Sequence, residues 1–247
     1  MPRAIIFDLD GTLTASKAAL ETSMGALLAK LSHQIPIAIT SGASLTQFKE
    51  QVVARLPADA ELQNVYLLPT SGAALYFWNG SDWQSAYQET LTEVQMAGAE
   101  RAIEKAIAEL KMDLPPAYGA RVERRQDTQV AFSGVGQRAP IAEKQKWDPD
   151  QKKRRTMVEI IKPELPWAEV KMGGMTTIDI TRKGIDKLYG ATKLAERLGL
   201  TLTDLLYVGD ALYPGGNDEV MLGSSAKVEA VTSLADTKKL IESLLSH

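Results

Sequence analysis

Asp8 and Asp10 flank one apolar residue, Leu9, at the end of the short apolar run Ala4 to Leu9. In an extended chain this spacing puts both carboxylates on one side and Leu9 on the other. Two carboxylates 4 Å apart repel by about 4 kcal/mol at an effective dielectric of ~20. A hard cation between them offsets that repulsion, and Mg²⁺ suits an all-oxygen ligand set. Gly11 lets the chain turn sharply behind the pair. A third carboxylate, Asp210, ends another buried run, Leu205-Leu206-Tyr207-Val208-Gly209, and completes an acidic metal site. Asp218 follows in Pro214-Gly215-Gly216-Asn217-Asp218, as a metal-site support or as a partner for Lys187. Lys187 stands at the start of a helical stretch, where a cation is unfavourable unless an anion offsets it. Thr40-Ser41-Gly42 ends a further strand-like run ahead of a helix. There a hydroxyl and free N–H groups make either a phosphate cradle or an ordinary helix cap. Taken singly, each of these could be a solvated strand end or a surface lysine.

Composition narrows the chemistry. The 247 residues contain no cysteine and two histidines, His33 and His247. Thiol nucleophiles, disulfides and zinc sites built on Cys or several His are excluded. Lys and Arg number 28 against 31 Asp and Glu, a net charge of −3, which argues against a nucleic-acid binder. No apolar run approaches the ~20 residues that span a bilayer. The N-terminus lacks the pattern of a signal peptide, so the expected location is cytoplasmic.

The elements that must position these residues alternate as βαβαβ over the first part of the chain. Ala4–Leu9, Ile35–Ile39 and Val65–Leu68 read as strands, with helices over Ala18–Leu31 and Leu45–Leu56 between them. That order implies a parallel sheet with right-handed crossovers. Near residue 86 the pattern changes to a charged helix over Glu89–Leu110, strands over Arg121–Arg125 and Gln129–Val135, and a helix from Asp148 to Ile161 that ends before Pro163. Strands over Ala168–Met172 and Thr176–Thr181 follow. From Gly184 the βα alternation returns, closing with a helix over Thr232–Leu245. The fold class is therefore α/β, a Rossmann-like parallel sheet, interrupted by an α+β module. The expected boundaries are 1–86 with 184–247 for the discontinuous core and 87–183 for the insert. The basic run Lys152-Lys153-Arg154-Arg155 reads as a solvated helix face, and the four tryptophans as packing.

The stretch Asp8-Leu9-Asp10-Gly11-Thr12-Leu13-Thr14 after an apolar strand resembles the nucleophile motif of the haloacid dehalogenase-like superfamily of phosphatases and phosphotransferases. Ser41, Lys187 and Gly209-Asp210 with Pro214 to Asp218 match that superfamily's other motifs in order. The resemblance implies Asp8 as nucleophile forming an aspartyl-phosphate, Asp10 as acid/base, Ser41 (or Thr40) holding the phosphoryl group, and Lys187 neutralising it. It also implies Mg²⁺ on the Asp8 carboxylate, the Asp10 backbone carbonyl and Asp210, with Asp218, Asn217 and Gly42 in support.

The insert resembles the superfamily's larger cap, and with the spacing around Pro214 and Gly184-Ile185-Asp186-Lys187 the chain looks like the eukaryotic-type α-phosphomannomutases. That likeness assigns sugar-phosphate binding to Lys17, Arg125, Lys144, Thr177 and Asp179. Thr177, Asp179 and Thr181 share one strand face by alternation. The sequence departs from the pattern at Gln137, where the family has an arginine, with Arg138 beside it. Arginine cannot be exchanged freely for lysine or glutamine in bidentate phosphate binding. The expected activity is Mg²⁺-dependent phosphoryl transfer on a small sugar phosphate, read first as a hydrolase (phosphatase), with hexose-phosphate mutase as the alternative. A non-catalytic phosphosugar-binding module is the rival of another class. A homodimer is an expectation from the resemblance alone.

Overall fold

The computed structural model describes residues 2–15 and 18–246. In chain order the strands are β1 (Ala4–Asp8), β2 (Ile37–Thr40), β3 (Val65–Leu68), β4 (Ala74–Trp78), β5 (Trp83–Gln88), β6 (Val122–Arg125), β7 (Gln129–Ser133), β8 (Ala168–Gly173), β9 (Thr177–Arg182), β10 (Leu205–Gly209) and β11 (Lys227–Ala230). The helices are α1 (Thr22–Ser32), α2 (Leu45–Gln51), α3 (Glu93–Glu109), α4 (Ile141–Trp147), α5 (Lys152–Glu164), α6 (Lys187–Leu198), α7 (Glu219–Leu222) and α8 (Leu234–Leu245). They form two compact units, Met1–Gln88 with Asp186–His247, and Glu89–Ile185.

The first unit holds a seven-stranded sheet in the order β11-β10-β1-β2-β3-β4-β5. Strands β11, β10, β1, β2 and β3 are parallel, and β4 and β5 add an antiparallel edge. All five residues of β1 are buried, as a central strand covered on both faces requires. Ile5, Phe7 and Leu9 enter a cluster with Leu28 of α1, Phe48 of α2 and Ile241 of α8. Ala4 and Ile6 point the other way, toward Leu194 of α6 and Met221 of α7. The period-2 alternation of one strand thus serves two helical layers.

The second unit is a four-stranded antiparallel sheet in the order β6-β7-β9-β8. Val130, Phe132, Ile178 and Ile180 pack with Ala99 and Ile103 of α3 and with Met157 and Ile161 of α5. Its opposite face carries Gln129, Ser133, Thr177, Asp179 and Thr181. Arg182 closes the unit's ends, donating to the Thr90 carbonyl at 2.6 Å and pairing with Glu89 at 3.4 Å. The α/β class with an additional α+β layer is as the sequence implies.

Several element ends differ from the sequence reading. Helix α1 begins at Thr22; Leu20 packs in the same cluster from the segment ahead of it. Helix α2 stops at Gln51, and a single 3₁₀ turn, Val53–Arg55, replaces its last turn. Helix α5 starts at Lys152 because the Asp148 carboxylate accepts the N–H groups of Lys153 and Arg154. It also runs through Pro163, which stands one residue from its end, so the bond it cannot make to the carbonyl four residues back is confined to the last turn. The β4–β5 hairpin has no counterpart in the sequence reading. Its turn is fixed by the Asn79 side chain, which accepts the N–H groups of Ser81 and Asp82.

The basic run is not a solvated face throughout. Arg154 is 2% exposed. Its Nε donates to Asp148 Oδ2 at 2.8 Å, and Nη1 donates to the carbonyls of Gly173 and Gly174. The cause is helical period: positions 154, 157 and 161 form the inward stripe of α5.

Candidate active site

Parallel pairing brings the carboxyl ends of β1, β2 and β10 to one edge of the first unit's sheet. Asp8 stands opposite Thr40, and Phe7 opposite Val208. Beyond β1 the chain doubles back at once: the Gly11 N–H donates to the Thr14 carbonyl, and the Leu13 and Thr14 N–H groups donate to the Leu9 carbonyl. Gly11 lies at φ +93°, and a β-carbon there would stand 2.3 Å from Asp210 Oδ2. Only glycine leaves room for that carboxylate at this turn. Thr12 Oγ1 donates to Asp210 Oδ1 at 3.5 Å. From α8, Thr237 Oγ1 donates to the Thr12 carbonyl at 2.7 Å and braces the turn from behind.

Lys187 is the first residue of α6, whose cap is the Asp186 side chain accepting the Tyr189 N–H. The Lys187 ammonium is buried and bridges two carboxylates, Asp8 Oδ1 at 2.6 Å and Asp218 Oδ1 at 2.5 Å. Asp218 also accepts from the Tyr207 hydroxyl at 2.5 Å and from the Ala211 N–H at 3.3 Å. Gly209 makes space for it, since a β-carbon there would meet Asp218 Oδ2 at 2.4 Å. The sequence left Asp218 with two roles; its carboxylate is the lysine's partner and also part of the acidic group.

Burial raises the pKa of Asp8 well above the usual carboxylate range; Lys187 opposes this and Asp218 adds to it. Burial would lower the Lys187 pKa, but Asp218 and Asp8 outweigh it and raise the value. Asp210 is raised by burial and by Asp218. Among the described residues three carboxylates thus share a single ammonium, an excess of negative charge that a further cation would offset. Oxygen atoms of Asp8, Asp210 and Asp218 lie within 4.8 Å of one another. Asp8 Oδ2 is buried and accepts no hydrogen bond from a described residue. These residues therefore fit a hard divalent cation. Asp10 is half-buried in the turn, and its side chain is outside that group of three.

Ser41 lies directly after β2 and is buried. It is not the cap of α2: Ser44 is, in a reciprocal pair with Gln47. The Ser41 hydroxyl accepts the Ala43 N–H at 3.1 Å, and its carbonyl accepts the Ser71 N–H at 2.8 Å. Gly42 is half-buried in the same turn, and Asn217 is exposed beside Asp218.

The second unit gathers its own polar residues. Arg125 is buried, donating to Glu123 at 3.0 Å, Gln129 Oε1 at 3.0 Å and Gln137 Oε1 at 2.8 Å, with Asp179 at 3.5 Å. Gln137 thus completes a guanidinium cluster. Gly173 leaves room for Thr177 and Asp179, whose side-chain oxygens would lie 2.7 and 2.3 Å from a β-carbon there. Lys144 is buried on α4. Arg138 is exposed and lies along Gly119. Lys17 lies outside the described residues. Sequence reasoning missed Tyr207, Thr237 and Arg154. The last was legible from the 154, 157, 161 stripe; the other two are single hydroxyls that no spacing rule marks.

An aspartate-ended parallel sheet, a buried lysine between carboxylates and a separate antiparallel layer are the arrangement that the haloacid dehalogenase-like resemblance implies. Solved structures share this fold. IMP-bound IMP-nucleotidase of Plasmodium falciparum, truncated at its N-terminus, superposes with a TM-score of 0.70 at 14% identity, over 100% of this chain and 68% of that one. A structure described as showing a trigonal-bipyramidal intermediate in a phosphoryl-transfer superfamily gives 0.59 at 15% identity, over 99% and 98%. Residues 24–247 match the family model for eukaryotic phosphomannomutase, and the chain belongs to that family. The phosphomannomutase of Spinacia oleracea is 27% identical over 95% of this chain and 92% of its own. That of Saccharomyces cerevisiae is 25% identical over 98% and 94%. Among the described residues, no helix is long and apolar enough to cross a membrane.

Proposed function

We propose that this protein is a Mg²⁺-dependent phosphomannomutase that moves a phosphoryl group through Asp8. Membership of the family favours the mutase over the phosphatase reading, which describes the superfamily's shared chemistry more coarsely. The observation that carries the mechanism is the Asp8–Lys187–Asp218 bridge beside Asp210. Lys187 holds the Asp8 carboxylate in place while one of its oxygens attacks phosphorus; the Asp8 O–P bond forms as the sugar O–P bond breaks. Asp10 gives a proton to the departing sugar oxygen and later takes one from the accepting hydroxyl. Ser41 and the N–H groups around it hold the phosphoryl oxygens in place. Bound at Asp8, Asp210 and the Asp10 carbonyl, with Asp218 in support, Mg²⁺ would neutralise charge on the carboxylates and the transferring group.

To the second unit's polar face we assign recognition of the sugar, with Arg125, Thr177 and Asp179 as its contacts and Lys144 and Gln137 in support. The deciding experiment supplies mannose 1-phosphate, Mg²⁺ and a catalytic amount of a hexose 1,6-bisphosphate. Mannose 6-phosphate is the expected product. Free phosphate alone would make the protein a phosphatase, and no turnover with retained binding would make it a binding module.

A further inference from the structure

Tyr207 carries an oxygen that packing does not need. Its ring is fully buried on β10, in the apolar cluster that includes Ile6, Leu194 and Met221. A phenylalanine would fill that cluster equally well. A buried hydroxyl is costly without a partner, and here the partner is Asp218 Oδ1, the same oxygen that accepts from Lys187. Asp218 follows β10 in a loop whose neighbours, Tyr213, Pro214 and Gly215, are exposed. The tyrosine instead projects from a strand paired on both sides, β1 and β11. It ties a loop carboxylate to the rigid sheet.

We infer that Tyr207 is a positioning residue for phosphoryl transfer: its hydroxyl fixes Asp218 so that Lys187 is aimed at Asp8. This rests on the reading of Asp8 as the nucleophile. Sharing Oδ1 with a second donor also weakens the hold of Asp218 on the ammonium, leaving more of its charge for the Asp8 side.

The test is Tyr207→Phe in the full-length, Mg²⁺-loaded protein, read in two ways. One is kcat and KM for mannose 1-phosphate; the other is the rate at which acetyl phosphate forms a hydroxylamine-sensitive phosphoenzyme. The expected result is a fall of about tenfold in kcat and in the phosphorylation rate, as loss of a hydrogen bond to a charged group implies, with KM within about twofold. In an Asp218→Ala background the same substitution should have no further effect, because the hydroxyl acts through that carboxylate. Unchanged rates would overturn the inference. So would another tenfold loss in the Asp218→Ala background, or a lowered thermal midpoint with kcat unchanged, which would make the tyrosine a packing residue. Absence of phosphoenzyme in the wild type would instead remove the nucleophile reading, and this inference with it.

Discussion

Asp8 and Lys187 are both buried, so each is costly alone and tolerable only with the other. Asp8→Asn keeps the shape and leaves Lys187 its Asp218 partner at 2.5 Å. It should lower turnover at least about 1,000-fold while leaving circular dichroism and cooperative unfolding intact; retained turnover would remove Asp8 as nucleophile. Lys187→Met should behave differently, since it strands two buried carboxylates. It should cost about 3–5 kcal/mol of stability as well as activity, measurable by urea denaturation. A loss of activity with wild-type stability would show that the two carboxylates do not depend on the ammonium for their burial. The charged residues of this site were legible because carboxylates at strand ends stand out against apolar runs. Tyr207 was not, because in sequence it is simply another large residue in a buried strand.

Helix α6 carries Lys187, and its placement depends on how closely it meets the turn after β3. Gly72 lies at φ +87°, and a β-carbon on it would stand 2.6 Å from the Asp186 carbonyl and 3.0 Å from Gly190 Cα. Both neighbours are backbone, so nothing can yield except the start of α6. Gly199 closes the other end of the same helix at φ +64°, with nothing within 4 Å of an added β-carbon. Gly199→Ala should therefore cost only the left-handed strain of about 1–2 kcal/mol and preserve kcat. Gly72→Ala should cost more, about 3 kcal/mol or above, and reduce kcat because Lys187 moves with its helix. Equal effects of the two substitutions on kcat would show that the Gly72 contact does not set the lysine. At this scale the sequence conveyed the parallel strands, whose short apolar runs admit few alternatives. It did not convey the β4–β5 hairpin. Outer strand β5 alternates exposed and half-buried positions with Gln, Ser and Gln among them, and such an edge strand carries little apolar signal. The start of α5 was hidden for another reason: an aspartate four residues upstream does the capping through space.

The two units have separate apolar clusters with no residue in common. The residues assigned to the metal and to the nucleophile all belong to the first unit, although that unit is assembled from the two ends of the chain. The second is a continuous segment whose ends Arg182 ties together, as an insertion into a host fold requires. Ligand that binds only folded protein raises stability by about 2.7 kcal/mol at 100 times its Kd. For a unit of about 150 residues that corresponds to roughly 5–10 °C in the thermal midpoint. Mg²⁺ should thus raise the midpoint of the transition reported by tryptophans Trp78 and Trp83, which lie in the first unit, and EDTA should reverse it. Asp210→Asn should shrink the shift, since it removes one of the three clustered carboxylates. The excised segment Glu89–Ile185, with its own sheet and two packed helices, should unfold cooperatively at a midpoint that Mg²⁺ leaves unchanged. An Mg²⁺ shift in that fragment would place cation binding on the second unit, and would contradict a metal site built from Asp8, Asp210 and Asp218.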